Sequence, residues 1–211
     1  MSYAINSTNF MTWRDPNNRN DRTNYAANLS GNPKRDNKFG SYSRQASIII
    51  SDGAIVNPGQ ISVPMTAEQI AEDFQASGIW VGITKPPKIT NEFGDVIEET
   101  EGFVPTYYTR VKLNYNPDFS EDRQPKVYLV TPGSEPILLD EESVGVIDQL
   151  ADAGEIDYID LDVNKSTNRK TGKCSLYIQH MYVVKRGSYD PNYDKYHQKP
   201  ADQEKCRSNE V

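Results

Sequence analysis

Hydrophobic and polar positions alternate most regularly between residues 156 and 186. In the first half, Ile159, Leu161 and Val163 fall on one side of an extended chain, and Tyr158, Asp160 and Asp162 on the other. From 174 to 184, strict alternation puts Leu176, Ile178, His180, Tyr182 and Val184 on one side. Ser175, Tyr177, Gln179, Met181 and Val183 take the other. A period of two in β-branched and aromatic residues signals strands. The polar, glycine-containing stretch 164–173 between them reads as the loop of a long antiparallel hairpin. It carries Lys165, Arg169, Lys170 and Lys173, so the tip is positive.

Four further strands follow from shorter patterns. They are QASIII from Gln45, IWVGIT from Ile79, a long run over 103–115, and KVYLVT from Lys126. In the third, Val111 and Leu113 are expected inward and Tyr107, Arg110 and Lys112 outward. Residues 66–77 predict a helix: Thr66 caps it with Gln69 as reciprocal partner, Ile70, Ala71 and Phe74 form its stripe, and Gly78 ends it. A second helix is expected over 140–150, with Asp140 as its cap and Val144, Ile147 and Leu150 apolar. Residues 91–102 read as an acidic loop. Residues 1–44 have little periodicity and read as an irregular arm, 45–187 as the core domain, and 188–211 as a flexible tail. Strands dominate. The economical architecture is a mainly β, partly open, five-stranded antiparallel barrel with two short helices.

Composition sharpens this. The chain has 211 residues, 36% of them hydrophobic, with 13 tyrosines, and a mean hydropathy of -0.73. That suits one modest core with polar surroundings. Two cysteines, Cys174 and Cys206, make neither a disulfide framework nor a zinc site, and fit a reducing compartment. With no signal pattern at the start and no apolar run of membrane length, the expected location is cytoplasmic, with no membrane partner.

The net charge of -7 conceals a polarised chain. Residues 1–44 carry Arg14, Arg19, Arg22, Lys34, Arg35, Lys38 and Arg44 against Asp15, Asp21 and Asp36, whereas 92–162 is heavily acidic. Aromatics interleave with the cations of the arm. Single-stranded nucleic acid needs cations for its phosphates and flat faces for its bases. The candidate contacts are therefore Trp13, Arg14, Arg35, Lys38, Phe39, Tyr42, Arg44, Trp80, Lys85, Tyr107, Lys112, Lys170, Lys173 and Tyr177. The competing reading makes Trp80, Tyr107 and Tyr177 ordinary sheet packing and the arm a solvated tail.

Other chemistries find less support. Asp157, Asp160 and Asp162 alternate as metal ligands in nucleases do, but no accompanying Lys, His or carboxylate stands at a recognisable spacing. An outward polar strand face explains them more simply. His180 reads as a core residue, and no nucleophile motif or glycine-rich phosphate loop is present. The expectation is a non-enzymatic protein without cofactor or metal.

The order of pieces also resembles a known family. Gly78-Ile-Trp-Val-Gly82 leads to Lys85, then come Tyr107 to Leu113, Pro125-Lys-Val-Tyr128, an acidic helix start, Ile156-Asp-Tyr-Ile-Asp-Leu161, Gly172-Lys-Cys-Ser-Leu-Tyr177 and Met181-Tyr-Val183. This diffuse pattern, over roughly half the chain, resembles bacteriophage single-stranded DNA-binding proteins of the oligonucleotide/oligosaccharide-binding (OB) fold. The resemblance implies an OB-like barrel that coats single-stranded DNA in phage replication or recombination. It carries over a region, not individual contacts. The end of the chain departs from the pattern: Gln203 to Val211 is mixed in charge rather than acidic with an apolar tip. The arm or the tail is then a candidate for self-association. The alternative is a viral structural or assembly protein, such as a β-rich coat or tail component whose arm exchanges between subunits. A third, an acidic mimic of nucleic acid, leaves the basic arm unexplained.

Overall fold

A computed structural model describes residues 2–11, 27–32, 44–52, 55–56, 65–86, 88–90, 93–98 and 101–187. Twelve strands and two helices are described: β1 (Ser2–Thr8), β2 (Ala27–Asn28), β3 (Gln45–Ile50), β4 (Ile55–Val56), α1 (Ala67–Ala76), β5 (Val81–Ile83), β6 (Lys88–Thr90), β7 (Val96–Glu98), β8 (Tyr107–Lys112), β9 (Lys126–Val130), β10 (Ile137–Leu139), α2 (Gly145–Ala153), β11 (Ile156–Thr167) and β12 (Cys174–Lys185). The protein is mainly β, as its alternation predicts.

The long hairpin forms the spine. β11 and β12 pair antiparallel from Ile156↔Lys185 to Thr167↔Cys174. β11 pairs on its other side with β1, and β12 with β8. β8 in turn pairs with β3. The ring closes where β1 runs on towards β3, through the Phe10↔Ile48 bridge and hydrogen bonds from Met11 N to Ser47 O (2.8 Å) and Ile49 N to Asn9 O (2.8 Å). The result is a partly open five-stranded barrel of the OB-like type, ordered β1-β3-β8-β12-β11. Two pairings are parallel: β12 takes β8 at Leu176–Tyr177 and β9 at His180–Val184, both on the same edge. The barrel is therefore mixed rather than wholly antiparallel. β8 leaves that edge after Lys112 and β9 replaces it in the same direction.

Tyr3, Ile5, Ile48, Val111, Ile159, Leu161, Val163, Leu176, Ile178, Met181 and Val183 fill one core. Each such side chain contributes about 1.5–3 kcal/mol on full burial. α1 covers it with Ile70, Ala71 and Phe74, the Phe74 ring meeting Tyr3 edge-on at 5.2 Å. The predicted capping box is present, Gln69 N donating to Thr66 and the Gln69 side chain accepting from Thr66 N. Gly78 follows at φ 76°, the left-handed conformation that ends a helix cheaply. α2 begins later than expected, at Gly145; Asp140 instead caps the preceding turn by accepting from Ser143 N at 2.8 Å.

Three differences from the sequence reading have physical causes. The segment 1–44 is not irregular throughout: its first residues are a barrel strand, with Tyr3, Ile5 and Phe10 buried. The pattern was obscured by a bulge, since β1 sets Ile5 against Leu161 but Thr8 against Ile159. Residues 27–32 are also packed, because buried Asp148 of α2 accepts from Leu29 N (2.8 Å) and Ser30 N (3.0 Å). In β12 a second bulge at Gln179 sets Asp162 against His180 but Val163 against Ile178. Past it the phase reverses, so Met181 and Val183 join Leu176 and Ile178 inside, while His180 and Tyr182 turn outward. Residues 91–102 include β7, which hairpins with β6 rather than forming only a loop. The expected tail, 188–211, lies outside the described residues. Among those described, no helix is long and apolar enough to cross a membrane.

Candidate nucleic-acid interface

On β8, Thr109 and Val111 are inward, so Tyr108, Arg110 and Lys112 stand on the outer surface. Each lies beside an aromatic ring. The Arg110 guanidinium sits 5.0 Å from the Trp80 ring centroid, and Lys112 Nζ lies 6.0 Å from that of Tyr177, its cross-strand partner on β12. Trp80 also meets Tyr108 edge-on at 5.5 Å. These are cation–π and aromatic contacts on a surface, with Trp80 still 49% exposed.

Two backbone devices hold this row in place. Thr109 Oγ1 donates to Trp80 O at 2.7 Å, fixing the entry to β5. Gly82 pairs with Tyr108 across the strands, and a Cβ there would lie 2.3 Å from Tyr108 Cζ. The missing side chain lets the Tyr108 ring lie down over β5. Burial raises the Tyr108 hydroxyl pKa, and Arg110 partly offsets it.

The hairpin tip is tied to the same region. Asn168 Oδ1 accepts from Lys170 N (2.9 Å) and Thr171 N (3.1 Å), so the tip is a folded turn. At its base Lys165 Nζ donates to Ser77 O at 2.6 Å, satisfying the carboxyl end of α1, from which the chain runs directly to Trp80. Arg169, Lys170 and Lys173 are exposed at the tip, and Lys85 is exposed just past β5.

The structure therefore brings together Trp80, Lys112 and Tyr177, with Lys170 and Lys173 at the adjoining tip. Two of the expected contacts are corrected. Tyr107 shares the inward phase of Thr109 and packs against the core; burial, then the Glu68 carboxylate, raise its pKa. Arg44 is a tether: it donates to Leu29 O at 2.8 Å, pairs with Glu141 at 2.8 Å, and lies 5.6 Å from the Tyr115 centroid. Trp13, Arg14, Arg35, Lys38, Phe39 and Tyr42 lie outside the described residues. The sequence reading missed Tyr108, although its two-residue spacing from Arg110 was the available signal.

Beyond the bulge, the outer surface changes character. Tyr128 and Tyr182 stack at 4.7 Å and 8°. Burial, then Tyr128 and Asp162, raise the Tyr182 pKa. His180, expected in the core, is 45% exposed and sits 3.4 Å from the Asp162 carboxylate. Among the described residues no three His, Cys, Asp or Glu side chains converge as a metal site. No protein-family model, curated protein or solved structure matches the chain.

Proposed function

We propose that the protein binds single-stranded DNA without strong sequence preference and without catalysis, in the replication or recombination of a virus such as a phage, in the host cytoplasm. The observation that carries this reading is the outward row in which Arg110 and Lys112 lie over Trp80 and Tyr177. It alternates cations with ring faces along a sheet, as a strand of phosphates and bases requires. The barrel adds support: β3 and β8 are its second and third strands, and 168–173 is its fourth-to-fifth connection. Those are the elements that bind oligonucleotides in OB barrels. Phosphates would lie along Lys85, Arg110, Lys112, Lys170 and Lys173, and bases on Trp80, Tyr108 and Tyr177.

The test is fluorescence anisotropy with a labelled oligo-dT of about 30 nucleotides, several sites long, across salt and against duplex. Tight binding that weakens steeply with salt, quenches tryptophan and ignores duplex is expected. No binding at low salt overturns the proposal. One observation favours a viral assembly component instead: the β10 edge exposes Ile137 and Leu138, 55% and 57% accessible. That reading predicts a large closed assembly without nucleic acid, measured by sedimentation.

A further inference from the structure

The outer surface holds a cavity of about 370 Å³ between β1, β11 and β12, lined by Ser2, Asp162, Asn164, Gln179 and His180. Its size is that of a small-molecule site. Its chemistry differs from the cationic row beside it. Asp162 Oδ2 faces His180 Nδ1 at 3.4 Å, which leaves the other carboxylate oxygen to accept from a ligand. Asn164 stands two residues along the same strand face, paired with Ser2 on β1. The bulge at Gln179 turns both Gln179 and His180 towards this space.

We infer that this cavity is a pocket for an amino-bearing nucleobase, cytosine or adenine, of a bound single strand; the inference rests on the function proposed above. Three points lead to it. A phosphate is disfavoured, because Asp162 would repel it. The pocket adjoins the stacking row, since Asn164 is the cross-strand partner of Tyr177, about 5 Å away. A base following one stacked on Tyr177 therefore reaches it. Finally, the pocket presents a carboxylate acceptor beside an amide that both donates and accepts. The exocyclic amine of cytosine or adenine donates to the carboxylate, and the adjacent ring nitrogen accepts from Asn164. Thymine turns a carbonyl oxygen to the carboxylate instead and is rejected. Binding is sequence-tolerant along the row and base-selective at one position.

The experiment measures Kd for oligo-dC, oligo-dA and oligo-dT with the wild-type protein, Asp162→Asn, Asn164→Ala and, as a charge control, Asp157→Asn. Asp157 is an exposed carboxylate on the same strand outside the cavity. The readout is the ratio Kd(dT)/Kd(dC), in which the general effect of a lost negative charge cancels. It is expected to fall about fivefold or more in Asp162→Asn, in line with the loss of one specific base contact. It falls in the same direction in Asn164→Ala, and stays constant in Asp157→Asn while both affinities shift together. The Kd(dT)/Kd(dA) ratio is expected to follow. Asn164→Ala decides the matter if Asp162→Asn fails to melt like wild type. An unchanged Kd(dT)/Kd(dC) ratio with all strands still bound overturns the pocket and leaves the function standing. Absence of binding to any strand by the wild type overturns both.

Discussion

Two halves of the same outer surface share a backbone and differ in chemistry. Around β8, outward positions carry Arg110 and Lys112 laid over Trp80 and Tyr177. Around the far end of β12, they carry a stacked tyrosine pair with Asp160 and Asp162 close by. In the first half the rings stabilise cations at the surface, where a polyanion can reach them. In the second, the rings stabilise each other. Strand pairing fixes which residues face out, but the residue types there decide whether a surface invites phosphate or repels it.

The largest expected effect comes from inverting the first half. Arg110→Glu with Lys112→Glu should weaken oligo-dT binding on the order of 100-fold and lower the salt slope by about 2, one per lost phosphate contact. Replacing Asp160 and Asp162 with asparagine should not weaken oligo-dT binding in the same titration. Next, Trp80→Ala removes a stacking face worth roughly 1–3 kcal/mol per base, so affinity falls about tenfold while the melting temperature barely moves. Gly82→Val pushes the Tyr108 ring off β5; overpacking of this kind costs about 1–3 kcal/mol, and both stability in urea and DNA affinity should drop. By contrast, Tyr182→Ala should cost about 1 kcal/mol of stability through the lost stack and leave oligo-dT affinity unchanged.

The smallest effect concerns the same type of contact placed inside the protein. Arg44 lies over Tyr115, whose hydroxyl is buried without a hydrogen-bond partner. Burial outweighs the opposing Arg44 charge and pushes the Tyr115 pKa up to about 12. A folded pKa above the unfolded one holds the proton in the native state. The stability this gives is complete below the ordinary tyrosine range and is lost as pH rises from about 10 towards 12. Tyr115→Phe should raise stability by about 1 kcal/mol, because an unpaired hydroxyl is removed. It should also flatten the alkaline part of the stability profile and delete the highest-pH step from a tyrosinate absorbance titration.

Where the sequence was legible, one local rule decided the structure. The α1 capping box needs only Thr66 and Gln69, and the Ile159, Leu161, Val163 stripe needs only alternation; both are present as read. Reading failed where a single inserted residue reversed the phase. The bulge at Gln179 moved Met181 inward and His180 outward, and the bulge after Ile5 hid a core strand within an apparent arm. Arg44 escaped for another reason. Its partners Leu29 and Glu141 are set by tertiary pairing, which no local pattern encodes. Half of the stacking row was nevertheless visible, since Trp80, Lys112 and Tyr177 were named from residue type alone.

The pairing of β1 with β11 also governs how the molecule is made. Ser2 finds its partner at Asn164, so the first strand to leave the ribosome waits for almost the whole barrel to be synthesised. At translation speeds of roughly 5–20 residues per second, that delay is on the order of ten seconds. Throughout it the strand's backbone hydrogen-bonding groups have no β11 to pair with. Asn6, Ser7, Thr8 and Asn9 make the segment too polar to collapse onto a neighbouring nascent chain. The same residues that hid β1 from a reader of the sequence protect it while it waits.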